Sequence, residues 1–241
     1  MPNSQAIPWK RLTVEGTAIV LSILLAFWID AWWQQRKEQK ETDTLVSSLY
    51  SDFRTSQAHL EEWLAGNERT LRATTAFLDE LRGRAIDDEM RVPHEWLVAA
   101  VAAPTYSPTD TSLRTAVATG QIELIEDSDL RNALAIWRQQ LDDTQEDELL
   151  IREIVVNHLV PVLSRQVRLG RSFEFDAMIN WFTGRESVDF EGTYNIRVTA
   201  GFEGVLAERV YYTTFVVEGL AAIYDTQAEI LRLLERQSGE H

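Results

Sequence analysis

The chain carries four histidines, His59, His94, His158 and His241, and their neighbours decide whether any of them does chemistry. His94-Glu95 begins like a zinc-protease motif, but Val98 stands where the second histidine is needed one turn later. Glu153 and His158 are five apart, not the three that aims a carboxylate and an imidazole at one metal in di-iron bundles. His59 and Glu62 share a helix face, yet no second pair echoes them. With no cysteine, thiolate sites and disulfides are excluded. The acidic run at 142–148, DDTQEDE, lacks the glycine-centred turn of a calcium loop. It reads as a solvated helix segment that interrupts an apolar stripe, with Arg138–Asp142 and Glu148–Arg152 paired at four-residue spacing. No glycine-rich phosphate loop, nucleophile elbow or Ser/His/Asp set is present, and the carboxylates are too numerous to single out an acid and a base. Trp63, Trp96, Trp137 and Trp181 read as core anchors. The expectation is a non-enzyme with no metal and no cofactor.

The elements around these residues are dominated by residues 16–33, GTAIVLSILLAFWIDAWW, in which Asp30 is the only charge. Eighteen residues rise about 27 Å as a helix, close to a bilayer core of about 30 Å, so the stretch reads as a transmembrane signal-anchor. Trp9, Lys10 and Arg11 before it, Trp32 and Trp33 at its end and Arg36 after it are the residue types of a membrane interface. Ala18, Ser22, Ala26 and Asp30 recur every four residues on one helix face. Three small residues there allow close approach of another membrane helix. A short basic tail (residues 1–15) ahead of an apolar run favours an amino terminus inside the cell. The expected location is a bacterial inner (cytoplasmic) membrane, single-pass, with the following domain in the periplasm.

Residues 34–241 carry the whole formal charge of −15, since Lys10 and Arg11 balance Glu15 and Asp30. So acidic a body argues against nucleic acid as a partner. Residues 34–82 read as one long helix on Leu45, Leu49, Phe53, Leu60, Leu64, Leu71, Leu78 and Leu81, with Ser56, Asn67 and Thr74 filling the stripe and Gly66 tolerated within it. No proline separates it from the apolar run, so one helix is expected to continue through both. Gly83 closes it. A short helix over 93–102 follows, then one opened by a capping box at Ser107-Pro108-Thr109-Asp110 and stopped at Gly120. Ser128 is expected to cap a helix through Leu130, Leu134, Trp137, Leu141, Ile151, Val155 and Leu159, kinked or ended near His158 by Pro161. Residues 173–181 suggest a short helix and 185–200 a loop. A last helix covers 204–237 on Leu206, Val210, Val217, Leu220, Tyr224, Leu231 and Leu234. The fold class is all-α: an N-terminal transmembrane helix continuing into a long helix, packed in an irregular helical bundle.

Residues 14–27, VEGTAIVLSILLAF, with Ile29-Asp30-Ala31-Trp32-Trp33 and Arg36, and the block 113–134, LRTAVATGQIELIEDSDLRNAL, resemble a family of uncharacterised bacterial single-pass membrane proteins. The resemblance covers about half the chain. It implies an N-terminal span plus a helical domain and assigns no catalytic residue.

These readings point to a structural or accessory subunit that docks onto a larger membrane assembly and stabilises it. Its expected partners are the lipid bilayer and either other transmembrane proteins or further copies of itself. The alternative is a periplasmic ligand sensor or signalling adaptor built as a helical bundle. An apolar pocket between helices would favour that second reading.

Overall fold

The computed structural model describes residues 9–170, 174–185 and 192–239. In chain order, α1 (Trp9–Arg82) leads to β1 (Glu89–Pro93), α2 (His94–Val101) and α3 (Thr111–Thr119). A single 3-10 turn (Gln121–Leu124) precedes α4 (Ser128–Ile154), which winds through a π-helical turn (Val155–Leu159) into α5 (Val160–Ser164). Then come α6 (Phe175–Thr183), β2 (Thr193–Arg197) and α7 (Ala200–Gly239). Mostly helical, the chain matches the all-α expectation in outline.

Three long helices make the core, with α7 packed against both α1 and α4. Their buried positions alternate in steps of four and three. In α7 these are Phe202, Leu206, Arg209, Thr213, Val216, Leu220, Ile223, Gln227, Ile230 and Leu234. In α4 they are Leu130, Leu134, Trp137, Leu141, Thr144, Glu148 and Ile151, with Val155 next. A mean step of 3.5 residues keeps one seam facing its partners along a long helix. The acidic run therefore does not interrupt the α4 stripe: Thr144 and Glu148 carry it. The α7 stripe is also displaced from the expected one, because Val210, Val217, Tyr224 and Leu231 are only partly buried. Polar Arg209, Thr213 and Gln227 occupy seam positions that an apolar pattern cannot reveal.

Two glycines permit close packing. A side chain on Gly66 of α1 would sit 2.6 Å from the carbonyl oxygen and ring of Phe182 in α6. On Gly219 of α7 it would overlap Thr144 of α4. Gly66 is thus a seat for α6, not merely a tolerated residue. Helix propensity alone makes Gly66→Ala stabilising by about 1 kcal/mol. The overlap with Phe182 backbone reverses that sign, and we expect a net loss of about 1–3 kcal/mol in urea unfolding. A gain in stability would contradict the packing.

Helix ends depart from expectation in instructive ways. Gly120 terminates α3 with φ +75, as its left-handed freedom suits. Yet the capping box does not form. Asp110 occupies the N-cap of α3 without a side-chain capping bond, its carboxylate pairing with Arg114 at 3.1 Å, and Asp52 of α1 accepts the Ser112 amide at 2.8 Å instead. Asp127, not Ser128, caps α4, accepting from the amides of Asp129 and Leu130. Pro161 does not stop the helix: the preceding turn widens, and the Val160 amide bonds to the Val155 carbonyl five residues back. Widening accommodates a residue that has no amide to give and crowds the carbonyl four before it.

Residues 185–200 are not all loop. β2 pairs antiparallel with β1, Glu89 opposite Arg197 and Pro93 opposite Thr193. Two separated five-residue strands give no local signal, since each needs the other to satisfy its amides. Phe173 and residues 186–191 from the same region lie outside the described residues.

Among the described residues, no helix is long and apolar enough to cross a membrane. The transmembrane anchor at 16–33 is therefore unsupported, and the bacterial inner-membrane location with a periplasmic domain is corrected. The apolar run is interrupted by Ser22 and Asp30 and gives way to Gln34, Gln35, Arg36 and Lys37, whereas a bilayer core needs about 20 predominantly apolar residues. One expectation here does stand: α1 continues unbroken from this run into the bundle.

Candidate functional site

Two parts of the molecule concentrate features that packing does not consume. The first is the amino-terminal arm of α1. Among the described side chains Leu45 and Val46 are its first buried residues, and those from Val20 to Lys40 are exposed. Those 21 residues extend for about 30 Å. Leu21, Leu24, Leu25, Phe27 and Trp28 are 57–68% exposed. Successive residues turn by about 100°, so together with Val20, Ile23, Ile29, Trp32 and Trp33 these side chains cover most of the helix circumference, leaving one face to Ser22, Ala26 and Asp30. A helix so largely apolar normally lies inside a larger assembly of apolar groups.

Ser22, Ala26 and Asp30 lie exposed on this arm, on one face as the four-residue spacing requires. The backbone of Ala18 continues that face, but its side chain lies outside the described residues, as do those of Trp9, Lys10 and Arg11. Trp32 and Trp33 meet edge to face at 5.9 Å, and the Arg36 guanidinium lies 5.2 Å over the Trp32 ring. Such a cation–ring contact contributes about 0.5–1 kcal/mol at an exposed site. It holds the indoles at the base of the apolar stretch.

The second part is buried. Residues 102–110 connect α2 to α3 with Ala102, Tyr106 and Asp110 buried, and buried backbone groups need partners in place of water. Side chains of three helices take the place of that water. From α1, the Ser56 hydroxyl accepts the Thr109 amide at 2.8 Å and donates to its carbonyl at 3.1 Å. From α4, both Glu148 carboxylate oxygens accept the Tyr106 amide at 3.0 Å, Gln145 donates to the Tyr106 carbonyl at 3.1 Å, and Arg152 donates to the Thr105 hydroxyl. From α7, Arg209 donates to the Ala102 carbonyl at 2.6 Å and to the Thr213 hydroxyl. The polar seam positions thus strap one connection into place. Below the strap, Gln227 ties all three long helices: it accepts the Trp137 indole N–H at 3.1 Å and donates to the Phe53 carbonyl at 3.1 Å.

Burial governs the electrostatics here. Glu148 is 2% exposed, and burial pushes its carboxyl up to about 8, against the Tyr106 amide and the Arg152 charge that pull it down. Arg209 is 1% exposed, and burial alone lowers its guanidinium to about 9. Its Nε has no acceptor. Tyr106 is raised by burial first and by Glu148 and Asp110 after it. A carboxyl poised near neutrality is a common mark of catalysis. Here both its oxygens are engaged by backbone, which assigns it to the strap.

The tryptophans expected as core anchors take such places. Trp137 and Trp181 are buried, while Trp63 and Trp96 pack partly buried against the core. His94 is buried with its ring 5.3 Å from Tyr194, and His59 and His158 are exposed. Among the described residues no group of three His, Asp or Glu is placed to hold a metal ion. Sequence reasoning missed Asp52, Gln145 and Arg209 and misplaced Glu148 at the surface. The one signal that could have found them is the seam register, which puts Glu148 and Arg209 where Leu or Ile is normal. Compared with family models, curated proteins and solved structures, the chain finds no match.

Proposed function

We propose that this chain is a non-enzymatic docking subunit, whose helical body carries an apolar arm for another protein to enclose. A single observation carries the reading: ten large apolar side chains between Val20 and Trp33 are 44–68% exposed on an arm of α1 that no other described element covers. Exposed apolar surface on that scale marks an interaction site. Because apolar side chains cover most of the arm's circumference, one flat helix face cannot cover it. The partner that fits is a protein presenting several apolar helices, among which the arm inserts. Ser22 and Ala26 offer the small side chains at which such a helix comes closest.

The body then serves as a strapped, rigid mount. Continuity of α1 supports this, since the arm and the bundle share one helix and the arm's direction is fixed by the core. The test is a full-length variant with Leu24→Gln, Phe27→Gln and Trp28→Gln, weighed beside the parent after mild extraction from its native host. The parent should emerge with a stoichiometric larger protein and the variant alone, both with the same melting temperature. Because all three side chains are exposed, the body's stability should change by less than about 0.5 kcal/mol. A parent that is monomeric, or associated only with itself, overturns the proposal.

A further inference from the structure

At the other end of α1 from the arm, the two-stranded sheet and the turn after α5 enclose a feature at odds with the net charge of −15. Two contiguous grooves, about 510 and 610 Å³, share Gln166 and Asn195 in their walls. Four arginines line them: Arg91 from β1, Arg165 and Arg168 from the turn, and Arg197 from β2. All four are exposed, and among the described residues none is in an ion pair. Arg91 donates to the Thr193 hydroxyl at 3.2 and 2.8 Å and keeps further N–H groups free to face outward. Glu89 is the single carboxylate in either wall.

The backbone is poised as well. The Arg197 amide turns away from β1 and donates to the Gln166 side-chain oxygen at 2.6 Å, so Gln166 occupies the place of a third strand. Antiparallel alternation turns the amides of Asn195 and Thr193 toward the same open edge. On the side facing β1, Val198 and the Gly192 carbonyl complete the pairing with Asp88 and His94.

We infer that the open edge of β2, together with Arg91, Arg165, Arg168 and Arg197, binds an extended acidic peptide segment of a partner protein. The peptide backbone adds beside Asn195 as a strand, and its alternate carboxylates reach the guanidinium forks, whose planar donors match a carboxylate two bonds at a time. Period-two spacing of acidic residues is the pattern that presents them to one face. The occupant is acidic because charge complementarity requires it: the chain as a whole carries a formal charge of −15, while four arginines line this groove. The site is independent of the arm.

The test uses full-length protein and a fluorescein-labelled peptide, Glu-Val-Glu-Val-Glu-Val-Glu, followed by anisotropy at low and physiological salt. Binding is expected to weaken at least tenfold in the double variant Arg165→Glu/Arg168→Glu and when the peptide's Glu are replaced by Gln. Methylating alternate peptide amides should weaken it as much, whereas free glutamate at millimolar concentration should not compete. An unchanged melting temperature keeps the variant interpretable, since both arginines are exposed; Arg165→Gln/Arg168→Gln serves if it shifts. No binding by the acidic peptide, or binding indifferent to charge reversal, overturns the inference. So does binding that survives amide methylation or is displaced by free glutamate, because each removes the strand from the account.

Discussion

Replacing Glu148 with glutamine should flatten the dependence of stability on pH between about 5 and 8. In the folded chain this carboxyl titrates at about 8 rather than at its ordinary 4.5, because burial disfavours its charge. Across that window the folded state holds a proton that the unfolded state releases. Stability is therefore greatest below the unfolded value and falls as pH rises through the folded one, by at most about 1.4 kcal/mol per pH unit. Glu148→Gln keeps an acceptor for the Tyr106 amide and removes the charge. Its advantage over the parent should grow with pH, by about 2 kcal/mol or more between pH 5 and 8. Urea midpoints of both proteins at several pH values check this. Parallel profiles would show that Glu148 does not titrate inside the fold.

The largest loss of stability is expected at Trp137. Its indole is fully buried, meets Phe53 edge to face at 4.9 Å, and donates to Gln227. Trp137→Ala should cost about 3–5 kcal/mol, the range for emptying a buried aromatic site. A graded series separates packing from polarity. Trp137→Phe keeps a ring against Phe53 but leaves the Gln227 oxygen unpaired, for about 1–3 kcal/mol. Adding Gln227→Leu to Trp137→Phe should recover part of that loss, although Phe53 then gives up its donor. If Trp137→Phe unfolds at the parent's denaturant concentration, the tie between the three long helices is not holding the core.

Both variants probe residues whose roles were hidden to different degrees. Trp137 was legible, since a large aromatic on a regular apolar stripe has one place to go. The long helices were legible for the same reason, including Ser56, Asn67 and Thr74 as polar fillers of the α1 stripe. Glu148 was not legible, because a carboxylate within DDTQEDE looks like solvated surface. Only the strap at 102–110, distant in sequence, explains why one carboxylate of that run turns inward. Arg209 was hidden likewise, its partner being the Ala102 carbonyl. The strand pair escaped notice because β1 and β2 are about a hundred residues apart, and neither alternates strongly enough to stand alone. Cap assignment failed where tertiary contacts overrode local rules: Asp52, from another helix, reached the start of α3 before its own capping box could.

The apolar arm was visible at once, and its meaning was not. Hydropathy finds the run and length suggests a bilayer, yet among the described residues no helix is long and apolar enough to cross a membrane. What remains is an exposed apolar helix rigidly joined to an acidic body. The chain thereby acquires two ends of opposite character, with the arm at one and the arginine-lined groove at the other. From Leu45 to Arg82 the helix joining them rises about 57 Å.

The most direct measurement is site-specific photo-crosslinking in the native host, with the reactive group placed in turn at Phe27, Trp28 and, as a body control, Asp142. The account predicts one discrete crosslinked product of a larger protein from Phe27 and Trp28, and none from Asp142. Arm positions that yield no product, or only dimers of the chain itself, would contradict it.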